Sequence, residues 1–123
     1  MKSRANLVRL KQFQVNEKRR RIAQLDAMIA EFDRMADELD AQVAAEEAKA
    51  GITDQNHFAY PTFAKAARLR RDNLRTSRAE LAQQKEQAAE ELAEAEAELR
   101  KAEALESRDG RTRGSDDMRA MTG

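Results

Sequence analysis

The fold is decided by residues 8–43, VRLKQFQVNEKRRRIAQLDAMIAEFDRMADELDAQV, through the spacing of their apolar side chains. One apolar column recurs at intervals of seven residues, and a second column joins it from the third heptad onward. A helix with this pattern buries a narrow seam against another helix. The first column consists of Val8, Val15, Ile22, Ile29, Ala36 and Val43, and the second of Leu25, Phe32 and Leu39.

The composition is that of long helices. Of 123 residues, 37% are charged, only five are aromatic, and the chain has 4 Gly and 1 Pro. Such a chain cannot build a thick globular core, so we expect its buried apolar area to form a long seam. The absence of Cys excludes disulfides and thiolate chemistry, and no stretch approaches the roughly 20 apolar residues of a membrane span. We therefore expect a cytoplasmic protein without a membrane-spanning segment.

Two helices and a turn are predicted in the first 106 residues. The first helix should run from about residue 5 to residue 50, where Gly51 is suited to the position after the last helical residue. Residues 51–62 contain the only Pro and the only His and form the turn. The second helix should begin at or just after Pro61 and continue over residues 62–106.

The second helix carries a less regular apolar pattern. Its leucines are separated by seven residues, then eleven, then seven, which predicts a four-residue stutter near residues 85–88. The leucines of this pattern are Leu74, Leu81, Leu92 and Leu99, followed by Leu105.

The tail over residues 107–123 has no periodic apolar residues and is predicted to be disordered.

The zero net charge conceals four blocks of alternating sign. Residues 1–22 carry eight basic and one acidic side chain, and residues 23–50 carry eight acidic and two basic ones. Residues 62–79 carry six basic and one acidic side chain, and residues 80–106 carry nine acidic and three basic ones. If the chain folds back at the turn, every block meets a block of opposite sign.

The apolar columns favour the same antiparallel arrangement. A register in which paired residue numbers sum to about 113 sets the apolar residues of one helix against those of the other. The predicted fold is therefore all-α, an antiparallel two-helix coiled-coil hairpin followed by the disordered tail. The charges should relieve the like-charged ladder of Glu90, Glu94 and Glu98 through Lys18 and its basic neighbours.

Enzyme chemistry has few residues to draw on in this chain. His57 is a single histidine in a loop, without Cys or a second imidazole, so neither a metal site nor a His-dependent triad is indicated. Phosphate-binding glycine motifs are also missing. We predict no catalytic, cofactor-binding or metal-binding residues, and a protein that is not an enzyme.

Two apolar groups off the seam are candidate partner-binding surfaces. Phe58, Tyr60 and Phe63 lie within six residues at the turn, where they either cap the two helices or anchor a partner, and the two roles are compatible. At the other end, Leu7, Leu10 and Phe13 either widen the seam or offer a second apolar face to a partner helix.

The strongest basic run is residues 18–21, which includes Arg19 and Arg20. It could contact nucleic acid, anionic lipid or an acidic protein, or it could face the acidic half of the second helix. We favour the intramolecular interpretation because no aromatic residues alternate with the basic ones and the net charge is zero. Arg19 and Arg20 remain candidates for partner binding.

The pattern resembles the flagellar export protein FliJ family, in its alphaproteobacterial form. The resemblance covers roughly residues 1–106 and is carried by the opening, the loop and the start of the second helix. The matching residues are Lys2-Ser3-Arg4, Leu7, Leu10, Lys11, Phe13, Val15, Glu17-Lys18-Arg19-Arg20, His57-Phe58-Ala59-Tyr60-Pro61-Thr62-Phe63-Ala64-Lys65-Ala66 and Arg70-Arg71-Asp72-Asn73-Leu74.

The resemblance implies a coiled-coil stalk or chaperone-like protein of type III flagellar export. Its implied partners are the export ATPase hexamer, the membrane export gate and export chaperones, with a location in the cytoplasm at the inner face of the cell membrane. We expect a monomer that does not bind nucleic acid. The alternatives are a generic, self-associating coiled-coil scaffold and a nucleic-acid-binding helical protein.

Overall fold

The computed structural model describes the backbone of residues 2–122 and the side chains of residues 3–110. It contains two helices, α1 over Lys2–Ala50 and α2 over Thr62–Thr122, and no strand within the described residues. The two long helices pack against each other, which confirms the predicted all-α hairpin.

The turn begins at the helix stop that the sequence predicts. Gly51 has φ of 67°, in the left-handed region that glycine adopts without strain, and its N–H donates to the Glu47 carbonyl at 2.9 Å. The N–H of Ile52 donates to the same carbonyl at 3.3 Å, as in a Schellman motif. α2 starts one residue after Pro61, whose carbonyl accepts the first helical bond, from the N–H of Lys65 at 3.1 Å.

All nine residues of the two predicted α1 columns are buried or half-buried. Val15 and Leu25 are fully buried, and Leu39 and Val43 belong to the largest buried cluster. The spacing of residues 8–43 therefore identified the buried face of α1 correctly.

The predicted stutter is absent from the burial pattern of α2. Buried and half-buried positions follow each other at unbroken intervals of seven residues, because alanines continue the column where the leucines leave it. Leu92 and Leu99 occupy the other seam column. Leu105, the last leucine of the predicted apolar pattern, is exposed. The continuous column consists of Leu74, Leu81, Ala88, Ala95 and Ala102.

The contacts divide the chain into two compact units. Unit 1 comprises Met1–Ala23 and Gln87–Gly123, and unit 2 comprises Gln24–Glu86. In unit 2, α1 supplies two apolar columns, and α2 supplies one apolar column beside Arg71, Arg78 and Lys85. In unit 1 the arrangement is reversed, since α2 supplies two apolar columns and α1 supplies one apolar column beside basic residues. Arg4, Lys11 and Lys18 of α1 stand at the heptad position that Leu25 holds in unit 2.

The basic side chains beside the seam pair with acids of the opposite helix. Along these ion pairs the residue numbers rise in α1 as they fall in α2, so the helices are antiparallel in each unit. The two residue numbers of a pair sum to between 109 and 115, around the predicted 113. The pairs in unit 1 are Arg4–Asp109, Lys11–Glu98 and Lys18–Glu91. The pairs in unit 2 are Lys85–Asp26, Arg78–Asp33, Arg71–Asp40, Arg75–Asp40 and Arg68–Glu47.

The acidic ladder is relieved differently from the prediction. Lys18 pairs with Glu91 at 2.8 Å and Lys11 with Glu98 at 4.0 Å, whereas Glu90 and Glu94 are exposed and join no ion pair within the described part of the chain. The rotation of α2 about its axis points Glu90 away from the seam and brings Glu91 beside it.

α2 also extends past residue 106, where the sequence places its end. Asp109 gives the extension a contact, since its carboxylate lies 2.9 Å from the Arg4 guanidinium. Arg4 also donates to the Leu105 carbonyl at 3.2 Å. Residues 107–110 of the predicted tail therefore continue the helix, and residues 111–123 lie outside the described side chains.

The Lys18–Glu91 pair makes a pH dependence testable. The Lys18 ammonium lowers the pKa of the Glu91 carboxyl below its usual value of 4.5, through a hydrogen bond first and its charge second. A carboxyl with a lower pKa in the folded state stabilises that state above its unfolded pKa and loses this effect as the pH falls through the folded pKa.

We expect the urea midpoint of the protein to fall as the pH drops below about 4.5, with a smaller fall in Glu91→Gln. Glu90→Gln is the matched control, because Glu90 is its exposed neighbour. Equal pH dependence in the two variants would show that the Lys18 contact does not form in solution.

Candidate partner-binding surfaces

The loop between the helices is held by its own hydrogen bonds. Asp54 accepts two of them, at its carbonyl from the N–H of His57 at 3.1 Å and at its carboxylate from the N–H of Asn56 at 2.9 Å. His57 accepts two more, at its carbonyl from the N–H of Tyr60 at 3.0 Å and at Nδ1 from the N–H of Ala59 at 3.0 Å. Residues 54–60 thus have a defined conformation although their backbone is exposed to water.

This loop presents Phe58 to the surface. The Phe58 side chain is 96% exposed, and its only ring contact among the described residues is a stack on His57 with the centroids 4.7 Å apart. Phe63, in the first turn of α2, is 55% exposed. Water-exposed aromatic rings on an ordered backbone are suited to fill a pocket of a partner, since little loop entropy is lost on binding.

Tyr60, the third predicted aromatic residue, does not share this surface. It is 9% exposed and packs in one cluster with Leu39, Val43, Ala64 and Ala67. Its hydroxyl accepts a hydrogen bond from Nε of Arg68 at 2.9 Å. Tyr60 therefore caps the helix ends, which is one of the two roles predicted for these aromatic residues. Of the three, only Phe58 and Phe63 are exposed enough to bind a partner.

A groove of about 510 Å³ lies beside the loop. It runs along the first turns of α2, where Leu69 is 63% exposed. Its polar side chains include Gln55, Lys65 and Asp72. The groove therefore places the exposed apolar side chain of Leu69 among mostly polar neighbours, close to the loop that carries Phe58.

The apolar residues near the N-terminus divide between two faces of α1. Leu7 is half-buried and widens the seam of unit 1. Leu10 and Phe13 are 50% and 58% exposed, and their spacing from the seam residues places them on the outward face of the helix. Only these two fit the predicted second apolar face.

Arg19 and Arg20 do not reach α2, contrary to the interpretation favoured from the sequence. Arg20 pairs within α1 with Glu17, and Arg19 is exposed and joins no ion pair with the described residues. Of Lys18, Arg19 and Arg20, Lys18 alone pairs with α2. Arg19 and Arg20 border a shallow groove with Asn16 and Ala23, so the outward face of α1 in unit 1 is both apolar and basic.

Within the described residues, no helix is long and apolar enough to cross a membrane, and no group of three or more His, Cys, Asp and Glu side chains could hold a metal ion. Comparison with known proteins found no matching protein family, no matching curated protein and no matching solved structure.

Proposed function

We propose that this chain is a non-catalytic component of the flagellar type III protein export apparatus. It would act as a coiled-coil, chaperone-like contact protein that binds the export ATPase hexamer, the membrane export gate and export chaperones. The support comes from the resemblance of residues 1–106 to the FliJ family and from the two-helix fold. Its place would be the cytoplasm, peripheral to the inner face of the cell membrane, and the free protein would be a monomer.

The observation that carries the proposal is the exposure of Phe58 on an ordered loop. Because the Phe58 ring is 96% exposed, it contributes almost no apolar burial to folding, and all of its apolar area is available for burial against a partner. The loop hydrogen bonds restrict the backbone on both sides of this ring, which lowers the entropy cost of docking. Leu10 and Phe13, beside Arg19 and Arg20, form a separate second contact surface.

The double variant Phe58→Ala/Phe63→Ala should bind the purified export ATPase or the cytoplasmic domain of the export gate at least about tenfold more weakly than the natural chain. Its helicity and urea midpoint should be unchanged, because neither ring contributes to the buried cluster. Isothermal titration with each purified partner measures the first quantity, and circular dichroism the second.

Leu105→Ala is the matched control, since Leu105 is an exposed apolar residue of unit 1, whereas the loop belongs to unit 2. If the natural chain binds neither partner, the proposed function is wrong. If it binds both and the double variant binds equally well, the function stands and the loop is not the contact. Binding to nucleic acid that weakens steeply with salt would instead favour the nucleic-acid alternative.

A further inference from the structure

The two edges of the seam in unit 2 differ in chemistry. One edge is closed by ion pairs that join Asp26, Asp33, Asp40 and Glu47 of α1 to basic residues of α2. The opposite edge of α1 carries Met28, Met35 and Gln42, again seven residues apart. None of the ion pairs described for the chain crosses this second edge over residues 35–42 and 70–77.

The second edge is an open groove. Two adjoining depressions, of about 260 and 150 Å³, share Met35, Arg70 and Leu74. Leu39 and Gln42 of α1 line one of them, and Asn73 and Ser77 of α2 line the other. Half-buried Met35 and Leu74 form an apolar floor, and methionine suits such a surface because its flexible side chain adapts to different partners.

Arg70 gives the groove its charge. It is exposed and joins no ion pair with the described residues, although the other arginines of this part of α2 pair with acids. Glu38 also lines the groove, and its carboxylate lies 2.6 Å from the guanidinium of Arg34, which pairs with Glu31 as well. A ligand of this groove would therefore meet an apolar floor and the Arg70 guanidinium, with which no described acid pairs.

We propose that this groove binds an acidic amphipathic helix of another protein, which packs as a third helix against unit 2. Apolar residues of that helix at i, i+3 or i+4 and i+7 would cover Met35 and Leu74, and one of its carboxylates would pair with Arg70. The groove residues extend along α1 from Met35 to Gln42 and along α2 from Arg70 to Ser77, which corresponds to about two turns of a partner helix. This surface is separate from the loop with Phe58 and does not depend on the export function.

The test uses two synthetic helical peptides with identical apolar faces, one flanked by Glu and the other by Lys. Each is titrated into the full isotope-labelled chain and followed by amide chemical shifts. The Glu peptide should perturb the amides around Met35, Gln42, Arg70 and Asn73 and should bind at least fivefold more tightly than the Lys peptide.

Arg70→Glu should weaken the binding of the Glu peptide at least fivefold and leave the urea midpoint of unfolding unchanged. Arg100→Glu is the matched control, because this exposed arginine of the same helix undergoes the same change of charge outside the groove. Equal binding by Arg70→Glu, or perturbations confined to other faces, would overturn the proposal. The same shifts on concentrating the chain without peptide would also overturn it, since a second copy would then occupy the groove.

Discussion

Replacing Leu25 with Asp is expected to cost the folded state at least about 3 kcal/mol. Leu25 is fully buried at the start of unit 2, in the second apolar column of α1. The substitution removes its apolar contacts and leaves a carboxylate where no water reaches it. A two-helix structure has few other buried contacts to compensate, so the loss is a large part of its total stability.

The measurement is the urea midpoint, followed by circular dichroism at 222 nm. Ala27→Asp is the matched control, because it adds the same charge two residues away at an exposed position and should change stability by no more than about 0.5 kcal/mol. Equal midpoints for Leu25→Asp and Ala27→Asp would show that the α1 columns are not buried in solution.

The sequence was sufficient for the buried face of α1 and for the ends of the turn. Burial at Val15 or Leu25 depends on the helical period of one segment, and the helix stop at Gly51 depends on the backbone of one residue. Both are local properties. The antiparallel register was also predictable, because the charge blocks and the apolar columns indicated the same pairing independently.

The detail of α2 was less predictable, and the predicted stutter shows why. The stutter was inferred from the spacing of the leucines, but Ala88 and Ala95 continue the column of Leu74 and Leu81 at the same seven-residue interval. Lys18 can pair with Glu90 or with Glu91, depending on how α2 is rotated about its axis. The predicted sum of paired residue numbers is approximate and does not determine this rotation.

The candidate surfaces were predicted as groups but not residue by residue. Phe58 and Tyr60 are two positions apart in one aromatic cluster, and the loop hydrogen bonds alone decide that one ring is exposed and the other buried. The groove around Arg70 was missed altogether. The sequence did contain a pattern that pointed to this groove, the column of Met28, Met35 and Gln42 opposite the acidic column of α1. This column indicates a groove only once it is known which edge of the seam each column borders.

The difference between Tyr60 and Phe58 leads to the second large effect. Tyr60→Ala should destabilise the folded protein by about 3 kcal/mol, because it removes a buried ring from the cluster that holds the ends of both helices in unit 2. Tyr60→Phe keeps the ring and loses only the hydrogen bond from Arg68, so it should cost about 1 kcal/mol. Arg68 retains its pair with Glu47 at 3.1 Å, which limits that cost.

Phe58→Ala completes the comparison, with an expected change within about 0.5 kcal/mol for a ring that is almost wholly exposed. Urea midpoints of the three variants measure the order, with Tyr60→Ala lowest and Phe58→Ala nearest the natural chain. If Phe58→Ala were the most destabilising, its ring would have to be buried in the free protein, and the loop could not offer it to a partner. The predicted order therefore tests the core and the exposed contact surface in one experiment.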